Sequence, residues 1–329
     1  MIISEYDNRL QDALSFINGG DDYLVVSHVQ PDGDAVSSTA AVFWLLSKLG
    51  KRAVLINESP IPQKFAFLAG AETIVHYREQ PPQRKFKRII AVDCADFRRI
   101  GDVAALFEEQ YELLNIDHHP TNDRYGTVNV VRPDAAATVE ILYDLIQHAA
   151  VPLDLEAATA IYTGLLTDTG GFRYSNTSPQ VMEVAANLLA LGVSGHQLAD
   201  HLLERMTVAQ LKLLRLGLNR LQFSGDNKIC WLYIEPADMK EIGAVPEDLE
   251  GLVNYALNIE GVEVGILFKA TDNGEVKASL RSAGKADVAA IAQLFGGGGH
   301  TRASGCRLAA PLAEAMPKVV EAVGKALTS

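Results

Sequence analysis

The sequence carries one acid and two adjacent histidines, Asp117-His118-His119, directly after the apolar run at positions 113–116. An apolar run of this length is typical of a buried strand, so these side chains are expected at a strand end. On an extended backbone, adjacent side chains point to opposite sides, so we expect only one histidine to face a given metal ion. The other histidine would orient a substrate or donate a proton, because imidazole titrates near neutral pH.

Other apolar segments end in side chains of the same chemical type. These side chains are His28, Asp32 and Asp34 after an early strand, Asp93 after a later strand, and Asp168 at the end of an apolar helix. Taken alone, the Pro-Asp-Gly-Asp segment around Asp32 is equally typical of a turn with a helix cap. An acid at the end of a helix opposes the helix dipole, a penalty that a bound cation would remove.

These segments together predict a metal site, because open α/β sheets place ligands beyond the carboxyl ends of their strands. Mixed carboxylate and imidazole ligands suit Mn²⁺ or Mg²⁺ better than a metal that prefers thiolates. Two such ions about 3.5–4 Å apart are a common arrangement for the hydrolysis of phosphate esters.

A glycine-rich segment near the C-terminus predicts a second functional region. Four consecutive glycines let backbone N–H groups approach an anion, whereas a flexible hinge would not call for the following His-Thr-Arg. An arginine at the end of a strand offers bidentate contact with a phosphate. We expect substrate contacts from Arg281, Gly297, Gly298, Gly299 and His300, and we add Arg98, Arg173 and Arg302 on charge and location alone.

Strand and helix patterns alternate over the first half of the chain, and the strands are uniformly apolar. This pattern predicts an α/β fold with a mainly parallel sheet and helices on both faces. Residues 101–110 read as one of the helices. We expect a catalytic domain at 1–192, a helical linker at 193–222 and a smaller α+β substrate-binding domain at 223–329.

Composition narrows the function classes. The net charge of −12 argues against a protein that binds long nucleic acid, which needs a basic face. No apolar run is long enough for a membrane span, and the first residues do not resemble a signal peptide. The three cysteines form neither a zinc motif nor a disulfide framework, which fits a cytoplasmic protein. A homodimer is expected only because dimers are the commonest assembly.

The motifs together resemble the DHH phosphoesterase family, named for a triplet like Asp117-His118-His119. The motifs His28…Asp32-Gly33-Asp34, Asp93, the triplet and Asp168-Thr169-Gly170 occur in the family's order, and residues 297–305 resemble its DHH-associated C-terminal domain. The nanoRNase and pAp phosphatase branch is the most similar. The resemblance implies two Mn²⁺ ions, with Mg²⁺ as the alternative. One ion would be held by His28, Asp32 and Asp93, and the other by Asp34, Asp93, His118 and Asp168.

The resemblance also implies an activity. His119, with Asp117, would act at the scissile phosphate of very short RNAs, releasing mononucleotides, and pAp would be dephosphorylated to AMP. One alternative is a phosphodiesterase of linear or cyclic dinucleotides such as pApA or c-di-AMP. The alternative from another class is a catalytically inactive nucleotide-binding regulator, which is expected to lack one of the ligands.

Overall fold

The computed structural model describes residues 4–328. The chain divides into two compact units, Met1–Arg205 and Met206–Ser329, and each unit has its own hydrophobic core. The division falls inside the segment 193–222, where the sequence predicts a linker. In the described part of the chain, no helix is both long and apolar enough to cross a membrane.

The first unit is built on a parallel sheet. Its strands are β1 (Tyr23–Val26), β2 (Ala53–Asn57), β3 (Val75–His76), β4 (Phe86–Val92), β5 (Phe107–Asp117) and β6 (Val128–Val131). The strand order is β3-β2-β1-β4-β5-β6, and every neighbouring pair is parallel. The predicted α/β class with a mainly parallel sheet is therefore confirmed.

Helices cover one face of this sheet. α1 (Glu5–Asn18), α2 (Gly33–Lys48) and α3 (Thr138–His148) lie against the strands. An outer layer begins with α4 (Leu155–Asp168), which packs on α2 and α3, and continues with α5 (Pro179–Ala190), which packs on α4. The short α6 (Gly195–Ala199) and a π-helical turn at Asp200–Glu204 follow. Side chains alternate along β1, so Tyr23 and Val25 pack into this helical layer. The central strands are thus buried on both faces, which explains why they carry no polar alternation.

The opposite face of the sheet packs against a 3₁₀-helical segment, Phe97–Leu106, and a group of aromatic rings. Leu24 and Val26 of β1 point to this side. The predicted helix at 101–110 is wrong at its second half, because β5 already begins at Phe107. The ring of Phe107 packs edge-on against Phe97 and Tyr111, and this tertiary packing overrides the helical preference of the intervening glutamates.

The second unit contains a mixed sheet. Its strands are β7 (Gln222–Phe223), β8 (Ile229–Ile234), β9 (Val264–Ala270), β10 (Val276–Ser282), β11 (Gly298–His300) and β12 (Ala303–Leu308). The order is β11-β12-β10-β9-β8-β7, and only the β8–β9 pair is parallel among these neighbours. Its helices are α7 (Val208–Asn219), α8 (Pro236–Ile242), α9 (Leu252–Leu257), α10 (Val288–Gln293) and α11 (Leu312–Thr328).

Two separate apolar clusters stabilise this sheet. Along β10 the residues alternate in burial, and Val276, Ala278 and Leu280 pack into the same cluster as Val319 and Val323 of α11. A second cluster joins β8 to α7 and α9. The second unit is therefore an α+β fold with its own core, which confirms the predicted class.

Candidate metal centre

The central strands β1 and β4 of the first sheet lie side by side, and the chain leaves them toward opposite edges. Such a switch in strand order opens a crevice at the carboxyl ends of the strands, where α/β proteins bind ligands. His28 follows the end of β1, Asp93 follows the last residue of β4, and Asp117 ends the next strand, β5. The topology thus delivers the side chains predicted from the sequence to one edge.

Asp93 lies between two groups of possible ligands. Its Oδ2 is 3.5 Å from Nε2 of His28, and its Oδ1 is 3.7 Å from Nε2 of His118. The residue has a positive φ of 53°. A left-handed backbone is uncommon outside glycine but tolerated by aspartate, and it is found most often where function demands it. The turn directs a nearly fully buried carboxylate into the crevice with one oxygen toward each group.

The remaining members of the two groups complete the arrangement. Asp32 Oδ2 is 3.9 Å from Nε2 of His28, on one side of Asp93. On the other side, Nε2 of His118 is 3.9 Å from Asp34 Oδ2 and 3.4 Å from Asp168 Oδ2. Two ligands of one Mg²⁺-like ion are separated by about 2.9–4.2 Å, because each lies about 2.1 Å from the ion in octahedral geometry. The observed separations fall in that range.

Both of these histidines are fixed by hydrogen bonds from the far side of the ring. Nδ1 of His28 donates to the carbonyl of Val29 at 2.8 Å, and Nδ1 of His118 donates to the carbonyl of Ala135 at 3.2 Å. In a neutral ring, a proton on Nδ1 leaves Nε2 with the lone pair, and Nε2 is the atom that faces the carboxylates. This backbone support selects the tautomer that a metal ion requires.

The electrostatics of the cluster favour a bound cation. Burial would lower the pKa of His28 and His118, but the surrounding carboxylates raise it to about 10 and about 9. Burial raises the pKa of Asp34 well above its usual range, and nearby Asp93 and Asp168 add to the effect. Burial, with Asp32 and Asp93, also raises the pKa of Asp168 to about 7. Buried acids therefore repel one another here unless positive charge is shared among them.

The donor set fits divalent cations. Oxygen donors dominate, imidazole supplies the rest, and Cys94, the nearest thiol in sequence to Asp93, is buried with its Sγ directed to the carbonyl of Asp96. Hard oxygen ligands with a minority of nitrogen suit Mn²⁺ and Mg²⁺ rather than a thiolate-bound metal. The sets His28–Asp32–Asp93 and Asp34–Asp93–His118 each bring their ligand atoms within 4.8 Å of one another.

His119 departs from the expectation based on an extended backbone. The strand ends at Asp117, and both imidazoles turn toward Asp93, with Nδ1 of His119 3.7 Å from Oδ1 of Asp93. The two rings are in edge contact, 4.8 Å between centroids. The prediction that the adjacent histidines point to opposite sides is therefore wrong, because the backbone leaves the strand conformation immediately after Asp117.

Asp117 orients His119 from behind. Its Oδ1 accepts from Nδ1 of His119 at 2.8 Å, and its Oδ2 accepts from Nδ2 of Asn122 at 2.7 Å. The Asn122 amide also donates to Oδ1 of Asn115 at 2.9 Å. Asp117 is fully buried, so it holds the ring in one orientation and in one tautomer. Asn122 was not predicted, since a lone asparagine after Pro-Thr reads as a turn residue.

Two further residues were also missed. Thr138 begins α3, where its backbone N–H and its hydroxyl both reach carboxylates of the cluster, at 2.6 Å from Asp34 and 3.0 Å from Asp93. Arg99 lies close enough to His28 to oppose the positive charge on that ring. Nothing in the sequence around Thr138, a run of alanines, distinguishes it from an ordinary helix start.

The predicted arginines of the first unit occupy different surroundings. Arg98 has a side chain that is 93% exposed, and its Nε is 3.6 Å from Asp96 Oδ1. Nε of Arg173 donates to the carbonyl of Gly170 at 2.6 Å, which ties it to its own loop. The neighbouring Arg99, by contrast, lies near enough to His28 to lower the pKa of its imidazole.

In the second unit, the predicted substrate residues lie on neighbouring strands. Gly298, Gly299 and His300 form β11, which pairs with β12, while Arg281 of β10 pairs with Ala303. Arg302 lies in the turn between β11 and β12. A Cβ at Gly297 would lie 2.2 Å from the Gly305 carbonyl oxygen, and one at Gly299 would lie 2.6 Å from that of Ala303. Close strand approach therefore explains part of the glycine run, and a flexible hinge does not.

The chain matches known families over most of its length. A family model described as the DHH family, N-terminal domain, matches residues 22–165, and a DHHA1 domain model matches residues 226–329. The bifunctional oligoribonuclease and PAP phosphatase NrnA of Thermus thermophilus is 35% identical over 306 residues, which cover 92% of this chain and 90% of that protein. The chain therefore belongs to the DHH family, in the branch of the relatives named bifunctional oligoribonuclease and PAP phosphatase, which confirms the resemblance seen in its motifs.

Solved structures share the fold. An exopolyphosphatase-related protein from Bacteroides fragilis matches with a TM-score of 0.87 at 24% identity, covering 99% of this chain and 97% of that chain. RecJ from Thermus thermophilus, solved in complex with Mn²⁺, matches with a TM-score of 0.56 at 15% identity, covering 100% of this chain and 55% of RecJ. The likeness extends over both units of this chain.

Proposed function

We propose that this protein is a two-metal phosphohydrolase that degrades RNAs of two to five nucleotides to mononucleotides and also dephosphorylates pAp to AMP. The observation that carries the proposal is the position of Asp93, whose two carboxylate oxygens face His28 on one side and His118 on the other. The 35% identical relative, named as an oligoribonuclease and PAP phosphatase, supports the choice of substrate.

In this proposal, one divalent cation is held by His28, Asp32 and Asp93. The other is held by Asp34, Asp93, His118 and Asp168. Two bound cations would supply Lewis-acid activation and charge neutralisation for attack of water on a phosphate ester. Mn²⁺ is the proposed ion, with Mg²⁺ as the alternative, on the basis of the oxygen-rich donor set.

The chain's own residues would then bind and orient the substrate. His119, whose Nδ1 donates to Asp117, presents its other edge to the scissile phosphate and transfers a proton to the departing oxygen. We assign catalysis to residues 1–192 and substrate binding to 223–329, where Arg281, His300 and Arg302 offer donors to a phosphate or base. Net charge and the three buried free cysteines are consistent with a cytoplasmic enzyme acting on short substrates.

Product analysis on a series of substrates tests the proposal. Purified protein with Mn²⁺ is incubated with labelled RNAs of two, three, five and about twenty nucleotides, with pAp, and with linear and cyclic dinucleotides. We expect the shortest RNAs and pAp to have the highest kcat/KM. Chelator should abolish turnover, and Asp93→Asn should lower kcat/KM by about 100-fold or more.

A matched substitution separates this effect from a general loss of charge. Asp272 lies in an exposed turn of the second unit, with a side chain that is 73% exposed and pairs with Lys240. Asp272→Asn should leave turnover unchanged. A wild-type protein that binds Mn²⁺ yet leaves dinucleotides and pAp intact would contradict the proposal, and preference for a cyclic dinucleotide would favour the phosphodiesterase alternative.

A further inference from the structure

Helix α3 begins without a capping side chain of its own. Its N-cap residue is Ala137, which cannot accept a hydrogen bond from the first turn. Ser, Thr, Asp or Asn usually stands at this position, because their side chains accept from the exposed N–H groups. Here Asp34 of α2 takes that place, accepting from the N–H groups of Thr138 at 2.6 Å and Val139 at 3.1 Å.

The first residue of α3 reaches a second carboxylate through its side chain. Oγ1 of Thr138 donates to Oδ1 of Asp93 at 3.0 Å, and Thr138 is fully buried. Oδ1 is the oxygen that faces His118, whereas Oδ2 faces His28. The hydroxyl therefore holds the Asp93 oxygen that faces His118. With that oxygen fixed, the other oxygen of the same carboxylate faces His28.

We propose that Thr138 is a positioning residue that fixes the carboxylates of Asp93 and Asp34 in the orientation that binds two cations. This inference rests on the proposed function. A carboxylate can rotate about its Cβ–Cγ bond, and a hydrogen bond to one oxygen selects one rotation. The backbone N–H of Thr138 also donates to Asp34, so Thr138 links Asp93 to Asp34 in the first turn of α2. In this proposal Thr138 acts through Asp93 and Asp34 and is a ligand of neither ion.

Isosteric substitution distinguishes positioning from packing. Thr138→Val keeps the volume and the β-branch, and it retains the N–H that binds Asp34, but it removes the hydroxyl. Thr138→Ser keeps the hydroxyl and loses a methyl group. If Thr138 only filled space, the valine variant would resemble the wild type and the serine variant would be the weaker one. A positioning role predicts the reverse order.

The test is a calorimetric titration of the metal-free full-length protein with Mn²⁺. We expect two ions for the wild type and for Thr138→Ser, and a loss of about 10- to 100-fold in affinity for at least one ion in Thr138→Val. Electron paramagnetic resonance should show coupled Mn²⁺ ions in the wild type and weakened coupling in the valine variant. Thr39→Val is the matched control, because Thr39 is equally buried and its hydroxyl donates to Ala35 O of its own helix at 2.9 Å.

Equal Mn²⁺ affinity and coupling in Thr138→Val and the wild type would overturn the inference while leaving the proposed function intact. The opposite combination is also distinguishable. If the wild-type protein cleaves no substrate but Thr138→Val binds Mn²⁺ more weakly than the wild type, the inference is supported and the proposed function is overturned. Should the valine variant fail to fold, Thr138→Ala and Thr138→Ser are compared in the same titration. Similar affinities for that pair would also overturn the inference.

Discussion

His119 and Asp117 form a hydrogen-bonded pair, in which Asp117 is proposed to act through His119. Both oxygens of the buried Asp117 are engaged, one by His119 and one by Asn122. A carboxylate behind an imidazole fixes the orientation and the tautomer of the ring, which is what a proton-transfer group requires. We therefore propose Asp117 as a positioning residue for His119, whereas the ions are proposed to be held by the other six side chains.

Replacing the imidazole separates proton transfer from metal binding. His119→Asn should lower kcat on a dinucleotide by about 10²- to 10⁴-fold, the usual contribution of general acid–base catalysis. The affinity for Mn²⁺ should stay close to that of the wild type, because His119 is not among the proposed ligands. Steady-state kinetics and metal titration on the same preparation measure both quantities.

His196 provides the control for this substitution. It is exposed on α6, and His196→Asn should change neither quantity. A His119→Asn variant that loses Mn²⁺ and activity in parallel would show that His119 is a ligand, which would contradict its assigned role.

The helices α2, α3 and α4 are closely packed where they meet at the candidate metal centre. A Cβ at Gly164 of α4 would lie 2.6 Å from Cγ2 of Val139 and 2.9 Å from Oδ1 of Asp34. These separations are shorter than van der Waals contact, so a methyl group there would displace α3 or the Asp34 carboxylate. Gly164 therefore sets the distance at which the helix carrying Asp168 approaches the other two.

Gly164→Ala is expected to destabilise the metal-free protein by about 1–3 kcal/mol, the usual cost of overpacking a core. It should also weaken Mn²⁺ binding, because Asp34 moves. Gly324→Ala is the matched control in α11, where the nearest atom to a new Cβ is Cδ1 of Ile229 at 3.9 Å. There the better helix propensity of alanine should stabilise by up to about 1 kcal/mol. Urea unfolding in the presence of a chelator measures the change in the free energy of unfolding for both variants. Equal changes for the two substitutions would contradict this account.

Sequence patterns predict elements well where local signals and burial agree. The apolar runs that become β1, β4 and β5 locate the carboxyl ends of those strands to within a few residues. The strands β6 and β11 were missed, because β6 has only four residues and β11 consists of Gly-Gly-His, a composition that is disfavoured in strands. Hydrogen bonding to β12, rather than the strand preference of its own residues, makes Gly298–His300 a strand.

The candidate site is predictable to a similar extent and for a related reason. Acids and histidines at the ends of apolar runs are visible in a sequence, because topology alone brings the carboxyl ends of parallel strands together. Supporting residues that lie outside these strand ends are not visible in the sequence. Thr138 and Asn122 work through hydrogen bonds whose partners lie 45 and 5 positions away. Their residue types are equally common in helices and turns without such roles.

The whole molecule combines two separately packed units and a net charge of −12. All proposed metal ligands lie in Met1–Arg205, and the core of Met206–Ser329 is formed by its own sheet and helices. A ligand that binds only the folded state stabilises it by about 2.7 kcal/mol at 100 times its Kd. That stabilisation should appear first in the unit that contains the ligands.

Hydrogen exchange followed by mass spectrometry measures where the stabilisation appears. Saturating Mn²⁺ should slow exchange most at residues 28–36, 93–96, 117–122 and 136–140, and at the end of α4. Peptides from β9, β10 and α11 of the second unit should change much less. The Asp93→Asn variant serves as the control and should show little protection at either place. Equal protection of both units by Mn²⁺ would contradict this prediction.

Asp34 serves as the cap of α3 as well as a proposed ligand, whereas Asp168 ends α4 and caps no helix start. The two aspartates would therefore look different in a mutational survey that scores only how much protein accumulates in cells. Substitutions of Asp34 would leave the start of α3 uncapped and reduce the abundance of the protein, as substitutions in the core do. Substitutions of Asp168 would leave the abundance of the protein normal while its turnover is lost. A screen that measures only expression level would therefore record Asp168 as dispensable.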